Sequence, residues 1–235
     1  MFIRSFSAIA AIAAACIAGQ VGAANAPPPG TAAIKAVSLI ELSDPALFLI
    51  RDLTGKSLLS FEADRKHEAE MGRNFEQAVK ERNFKFAGVM VDALMREFKK
   101  KNVALVYLKD QTPKLAADGK SDDYTGMKIG TDSFLMVWFG PIGFLNIAKP
   151  KMAYKPLLVV NAKLVDVKTQ RVLFLKTYNA GYSAAINGVE NVELDMRYTF
   201  PDVDNAMKRI GFAFEGYAAA EKLIAERIVR DIDLK

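Results

Sequence analysis

The chain has 235 residues, of which 51% are hydrophobic and 25% are charged, with one cysteine and one histidine. That length accommodates one compact domain plus a leader, or two very small domains, and the apolar fraction excludes a mainly disordered chain. A single His and a single Cys exclude most metal-site and catalytic-triad chemistry. The net charge of +5 is too small and too dispersed to indicate nucleic-acid binding.

The first residues are typical of an export signal. Arg4 provides a short positive region, an uncharged apolar run follows over residues 8–19, and small residues precede a cleavage site after Ala23 or Ala24. The apolar run is shorter than the ~20 residues that a membrane-spanning helix needs, and no later stretch reaches that length. We therefore predict a signal peptide over residues 1–24 and export to the periplasm. The alternative is a retained amphipathic helix.

Cys16 leaves two interpretations of this leader open. The stretch Ala13-Ala14-Ala15-Cys16 resembles a bacterial lipoprotein box, in which the cysteine is acylated, becomes the new N-terminus and anchors the protein to the outer membrane. Alternatively, Cys16 is a small apolar residue of an ordinary signal peptide and is removed. In both cases the mature domain has no cysteine available for a disulfide.

Proline and glycine separate the leader from the folded part of the chain. Residues 25–33 predict a short, stiff tether, and residues 34–235 a single domain. Alternation predicts a strand at Ile34–Ile40, a second at Leu47–Ile50 and a partner strand at Ser57–Phe61 after a turn. A weakly periodic, charged helix follows at Glu62–Arg82.

The middle of the chain carries the clearest helix pattern. Apolar residues recur at steps of three and four over Asn83–Lys100, which predicts an amphipathic helix. A buried strand at Val103–Leu108, a polar loop and a short helix at Asp122–Lys128 capped by Asp122 follow. Phe134–Phe139 predicts a further apolar strand.

The last third predicts a hairpin and a closing helix. Leu157–Val165 and Arg171–Tyr178 form the best hairpin, and Asp202 or Asp204 caps an amphipathic helix that runs to about Ile232. Strands interleaved with helices indicate an α/β fold: a single sandwich-like domain whose mixed sheet is packed by two long amphipathic helices.

Two motifs in this order of elements carry a resemblance. Residues 130–135 read Gly-Thr-Asp-Ser-Phe-Leu, and a hairpin of the Leu-Val-Asp…Val-Leu kind spans 164–173. Together with the closing helix, residues 83–232 resemble the envelope group that includes the curli secretion factor CsgG, the penicillin-binding-protein activator LpoB and the N-terminal domain of TolB. Gln170 stands where that group usually has a turn glycine, and residues 34–82 have no recognisable counterpart. The resemblance implies an α/β fold and a setting at the periphery of the outer membrane, but no specific activity.

One segment stays apolar where a loop is expected to be polar. Residues 138–147 read Trp-Phe-Gly-Pro-Ile-Gly-Phe-Leu-Asn-Ile, and their glycines and proline argue against continuous regular structure. One interpretation is an exposed surface for a partner or ligand; the other is a connection buried in the core. The residues of the predicted surface are Trp138, Phe139, Ile142, Phe144, Leu145 and Ile147.

No catalytic, cofactor-binding or metal-ligating residue is predicted, and His67, in a polar stretch, is interpreted as a solvated surface residue. The sequence therefore predicts a non-catalytic periplasmic or outer-membrane-associated accessory protein. Its partner would be another envelope protein or a second copy, with peripheral membrane contact near Lys149-Pro150-Lys151. Two alternatives are a binding module for a small or lipidic ligand, in a pocket lined by Trp138, Phe139, Tyr154 and Tyr178, and a hydrolase of unrecognised type.

Overall fold

The computed structural model describes residues 34–52, 61–117, 122–146, 153–182 and 188–232. The predicted signal peptide, the tether, Cys16, Ile147 and residues 149–151 lie outside these ranges, as does most of the strand predicted at 57–61. The strands within them are β1 (Ala36–Ile40), β2 (Phe48–Asp52), β3 (Ala104–Leu108), β4 (Lys114–Leu115), β5 (Asp122–Asp123), β6 (Ser133–Asn146), β7 (Lys155–Asp166), β8 (Val172–Ala180) and β9 (Val189–Val192). The helices are α1 (Phe61–Glu81), α2 (Phe86–Lys100), α3 (Val203–Lys208) and α4 (Ile210–Asp231), with a 3-10 turn at Met196–Tyr198.

One mixed sheet organises the domain. Its strand order is β3-β1-β6-β7-β8-β9, and β2 pairs with β6 as well. The pairs β1–β3, β1–β6, β2–β6 and β8–β9 are parallel, and the long β6–β7–β8 meander is antiparallel. Because the helices pack against this sheet, the predicted α/β class with a mixed sheet is confirmed.

The main core lies between one face of the sheet and three long helices, rather than the two predicted. Phe75 of α1, Phe86 of α2 and Tyr217 of α4 are fully buried together. Their rings lie 5.7 Å (Phe75–Tyr217) and 5.5 Å (Phe86–Tyr217) apart, spacings typical of favourable aromatic pairs. Helix α1 was expected from only a weak periodicity, because most of its surface is charged and tertiary packing supplies its stability.

The opposite face of the sheet carries a smaller core. Ile40, Phe134 and Val165 are buried there, beneath the chain that follows β5. Asp122, predicted to cap a short helix, instead belongs to the β4–β5 hairpin, where it pairs with Leu115. The helix predicted at Asp122–Lys128 is therefore wrong.

The closing helix is divided near its start. Asp202 caps α3 as predicted, with its carboxylate accepting from the Asn205 N–H at 2.7 Å, but α3 ends at Lys208 and α4 begins at Ile210. Among the described helices, none has the length and apolar character to cross a bilayer.

Candidate functional site

The sheet is interrupted on one side of β6. Strand β1 pairs with the start of β6, ending at Leu39 opposite Leu135, and β2 pairs with its end, beginning at Phe48 opposite Ile142. Between these points residues 136–141 have β7 on one side and, among the described residues, no strand on the other. We call this stretch the β6 gap.

The register explains why the gap exists. Leu39 pairs with Leu135, 96 residues later in the chain, whereas Phe48 pairs with Ile142, 94 residues later. The connection from Leu39 to Phe48 is therefore two residues longer than the stretch of β6 that runs beside it. Because of these two extra residues, the loop 41–47 leaves the sheet. The chain returns to the sheet at Leu47, whose carbonyl accepts a hydrogen bond from the Ile142 N–H at 3.0 Å. Pro141 is tolerated inside β6 because it lies in the gap, beside an irregularity in the β6–β7 register, where a missing N–H breaks little pairing.

Gly143 allows β2 to return to the sheet immediately after the gap. Its φ is +156°, and a Cβ added there would lie 1.6 Å from the Leu49 carbonyl oxygen. No other residue type permits this approach. The Tyr217 hydroxyl donates to the Gly143 carbonyl and ties the same point to α4.

A cleft of about 280 Å³ opens at the gap. Its walls come from the loop after β1, from the segment after β3 and from β6: Ile40, Glu41, Ser43, Asp44, Pro45, Ala46, Thr112, Pro113, Met136, Val137, Trp138 and Phe139. It lies beyond the carboxyl ends of the parallel strands β1 and β3, the position at which ligands commonly bind in open α/β sheets.

The charged side chains that line this cleft are acidic. Glu41 accepts from the Asp110 N–H at 2.8 Å, and Asp44 accepts from the Ala87 N–H at the start of α2 at 2.9 Å. Lys85 lies near Asp44, at 3.8 Å, but is not part of the lining. The cleft therefore combines an apolar floor with a negatively charged rim, which suits an apolar group that carries a positive charge.

The structure divides the predicted partner surface into two parts. Trp138 and Phe139 are half-buried and line the cleft. Ile142 and Phe144 have no exposed surface, and Leu145 has 5%. Of the two interpretations of this segment, burial in the core therefore holds for these three residues and exposure is wrong. Strand β6 continues past Gly140 and Pro141 and places them between β2 and β7.

The predicted pocket of Trp138, Phe139, Tyr154 and Tyr178 does not form. Trp138 lies opposite Asn161, which in turn lies opposite Thr177, so alternation places Tyr178 on the other face of the sheet. There Tyr178 is fully buried and donates to Asp231.

A buried lysine that the sequence reasoning missed anchors the β4–β5 hairpin. Lys163 of β7 is almost completely buried and donates to the Tyr124 hydroxyl at 2.6 Å and to Asp122 at 3.1 Å. Burial, with the hydrogen bond to Asp122, raises the pKa of Tyr124 well above its usual value. We call these three residues the Asp122 anchor. A lysine between Ala162 and Leu164 in an apolar strand was the signal that could have revealed it.

A second network joins the end of α4 to the sheet. Lys176 of β8 donates to Asp231 of α4 at 2.6 Å and also to Glu190 of β9, while Arg230 donates to Glu190 at 2.7 Å. Although burial alone raises the pKa of Asp231, the hydrogen bonds from Lys176, Arg230 and Tyr178 outweigh it and lower that pKa. We call this network the α4 ion cluster. The signal in the sequence was an aspartate at a helix C-terminus, where the helix dipole disfavours it.

The described residues include no group of three His, Cys, Asp or Glu side chains arranged to hold a metal ion. His67 is exposed on α1, as expected. The arrangement at the β6 gap offers main-chain groups, aromatic surface and negative charge, which are the elements of a binding site.

Comparisons with known proteins name no family for this chain. No family model matches it, and no curated protein matches it. Among solved structures, it is similar to a DUF330 protein of Xanthomonas campestris at 12% identity, over 61% of this chain and 58% of that one, with a TM-score of 0.35. A homolog of neuraminyllactose-binding hemagglutinin from Helicobacter pylori is 13% identical over 89% of this chain and 92% of that one, with a TM-score of 0.36. A hypothetical protein of Chlamydia trachomatis is 10% identical over 82% and 98%, with a TM-score of 0.28. This chain thus spans 58% of the length of the Xanthomonas protein, and none of these similarities is high enough to argue a function.

Proposed function

We propose that this protein is a non-catalytic accessory protein of the bacterial cell envelope that binds an extended segment of another envelope protein at the β6 gap. The gap itself carries the proposal, because a stretch of strand inside the sheet has no neighbouring strand among the described residues and borders a cleft. Main-chain groups at such a strand edge bind extended peptides by β-augmentation, and adjacent side-chain pockets provide selectivity.

The chemistry of the cleft indicates which segments fit best. Trp138 offers aromatic surface to an apolar side chain on one face of the sheet, whereas Phe139 lies on the opposite face beside Phe86. Glu41 and Asp44 attract a basic side chain. A segment in which apolar residues alternate with small polar ones, with a lysine or arginine at one end, meets both requirements.

A direct test uses Trp138, which is the only tryptophan in the chain and lines the cleft. Titration with a short peptide of alternating valine and threonine, with lysine at each end, is expected to change its emission saturably. A peptide of equal charge with prolines at the central positions is expected to bind far more weakly, because proline lacks the N–H that pairing requires. Equal responses to both peptides, or none to either, would contradict the proposal.

Two substitutions separate charge from folding in this test. Glu41→Gln removes one negative charge from the cleft and is expected to weaken peptide binding and reduce its dependence on salt. Glu226→Gln removes a charge from an exposed position on α4 and is expected to change neither. An equal effect of the two variants would show that the cleft does not bind the peptide.

The setting in the envelope is supported by the residues of the leader. Mass spectrometry of the natively expressed chain, after separation of membrane and soluble fractions, is expected to give either an acylated species beginning at Cys16 or one beginning near Ala24. A species that retains residues 1–24 would contradict export.

The volume of the cleft bears on the alternative of a small-molecule or lipid-binding module. At about 280 Å³ it lies close to the lower end of the roughly 300–1,000 Å³ of pockets that enclose drug-sized ligands, so experiment has to separate this alternative from peptide binding. A small molecule that co-purifies in a native mass spectrum and is displaced when the peptide binds would instead favour the alternative.

A further inference from the structure

Strand β3 lies at one edge of the sheet. Within the described residues it pairs only with β1, and its five residues, Ala-Leu-Val-Tyr-Leu, contain no charge or proline. In natural proteins, edge strands usually carry a charge or a proline that prevents pairing with another chain, or are covered by another element. Helix α1 covers β2, where Glu68 accepts from the Asp52 N–H at 3.0 Å, and the other edge strand, β9, is short and contains Glu190.

The hydrogen bonds of β3 establish which of its main-chain groups face outward. The Ala104 N–H donates to the Lys35 carbonyl beside β1 at 3.1 Å. Since the N–H and C=O groups of successive residues in a strand point to alternate sides, Ala104, Val106 and Leu108 face β1. Leu105 and Tyr107 therefore present their N–H and C=O groups at the free edge.

We propose that two copies of this chain associate through antiparallel pairing of their β3 strands about a two-fold axis at Val106. In this register Leu105 of each copy lies opposite Tyr107 of the other, so both outward-facing residues of each strand exchange main-chain hydrogen bonds. A register centred on Leu105 or on Tyr107 leaves outward groups of the strand unpaired. The contact is isologous and closes at a dimer.

The side chains around the axis are apolar. Val106 is 44% exposed and lies opposite Val106 of the second copy, in a non-hydrogen-bonded pair with a Cα separation of about 4.5 Å. On the helix face, Leu105 and Tyr107 are half-buried, and Met95 of α2, which is 40% exposed, lines a hollow beside Ala104 and Leu105. Pairing therefore removes a continuous apolar strip from water.

Charge at the two ends of β3 favours a second copy over an unrelated strand. Lys99 and Lys101 lie at the amino end of β3, whereas Glu41 and Asp110, linked by a hydrogen bond of 2.8 Å, lie with Lys109 at the carboxyl end. Antiparallel pairing places the positive end of each copy beside the net negative end of the other. Asp110 then lies opposite Asn102 and next to Lys101, twice in the dimer.

The position of Val106 on the axis allows a charge-pairing test with the full chain. In sedimentation velocity over a range of concentrations, the wild type is expected to dimerise. V106K and V106E each place identical charges directly opposite one another, so each is expected to raise the dimer Kd by about tenfold or more. Mixing the two variants is expected to restore dimers, now heterodimers, because opposite charges then meet.

A matched control tests whether a new surface charge alone has this effect. Leu175→Lys lies on the same face of the sheet at a similarly exposed position (47%), but on β8, on the opposite side of the sheet from β3. It is expected to dimerise as the wild type does. A monomeric wild type, an unaltered Kd for V106K, or failure of the mixed variants to pair would overturn the proposal. Val106 does not line the β6 gap, so these results leave peptide binding there as a separate question.

Discussion

Glu221 carries a carboxyl group that is buried in the core of the domain. It has no exposed surface, and neither carboxylate oxygen has a hydrogen-bond partner among the described residues. Tyr217, Ile224 and Ala225, which share its face of α4, are all buried. Burial, with a smaller contribution from the Asp44 carboxylate, raises the pKa of Glu221 well above its usual value.

This environment predicts the sign of the pH dependence of stability. The folded protein retains a proton on Glu221 that the unfolded chain releases at a pKa of about 4.3. The contribution of Glu221 to the free energy of unfolding is therefore most favourable below about pH 4.3 and is lost as the pH rises towards the folded-state pKa. The loss is as much as about 1.4 kcal/mol per pH unit.

Two substitutions of Glu221 separate the cost of ionising a buried carboxyl group from the cost of burying polar atoms without hydrogen-bond partners. Glu221→Gln keeps the shape and prevents ionisation, so it is expected to remove this pH dependence. Glu221→Leu also removes the unpaired polar atoms and is expected to raise the free energy of unfolding at neutral pH by about 1–3 kcal/mol. For a chain of this size that corresponds to roughly 2–4 °C in Tm for each kcal/mol.

Urea unfolding followed by far-UV circular dichroism, between about pH 5 and pH 8, measures both effects. Glu226→Gln, at an exposed position of α4, is the control and is expected to retain the pH dependence of the wild type. The reasoning is refuted if Glu221→Gln also retains that dependence. It is equally refuted if Glu221→Leu is less stable than the wild type at neutral pH, because the carboxylate would then make stabilising contacts.

Three further predictions concern the elements that hold the sheet together. Gly143→Ala is expected to lower Tm sharply, because the added Cβ collides with the Leu49 carbonyl. Gly130→Ala is the control and is expected to leave Tm nearly unchanged, because its Cβ meets nothing within 4 Å. Equal Tm values for the two variants would contradict this reasoning. Asp231→Asn weakens the α4 ion cluster and is expected to cost about 1.5–3 kcal/mol at neutral pH. Because the pKa of Asp231 is lowered in the folded state, that loss should shrink as the pH falls through this pKa, and a constant loss in urea unfolding at all pH values would count against it. Lys163→Met breaks the Asp122 anchor, so hydrogen exchange should accelerate over residues 122–130 but not in α4; unchanged exchange in the hairpin would show that the anchor does not hold it.

Part of the candidate site was visible in the sequence. The apolar run over residues 138–147, interrupted by glycines and a proline, identified the region, and its first two residues, Trp138 and Phe139, line the cleft. Glu41 and Asp44 were not identified, because an acidic residue after a strand is common and only the surplus of two residues between β1 and β2 brings them to the gap. The surplus appears only when the register of β6 against both strands is known.

The sequence by itself determined the elements whose periodicity is local, namely the amphipathic helix α2 and the β7–β8 hairpin, and it narrowed the cap after residue 200 to Asp202 or Asp204. In each of them the residues that interact are close in the chain, so that spacing alone specifies which face is buried. Only the tertiary structure decided that β6 runs through Gly140 and Pro141, that Ile142 and Phe144 enter the core, and that β2 rejoins the sheet beyond a gap. These features depend on pairing between segments separated by about a hundred residues, and side-chain patterns within either segment do not specify which strand will lie beside it.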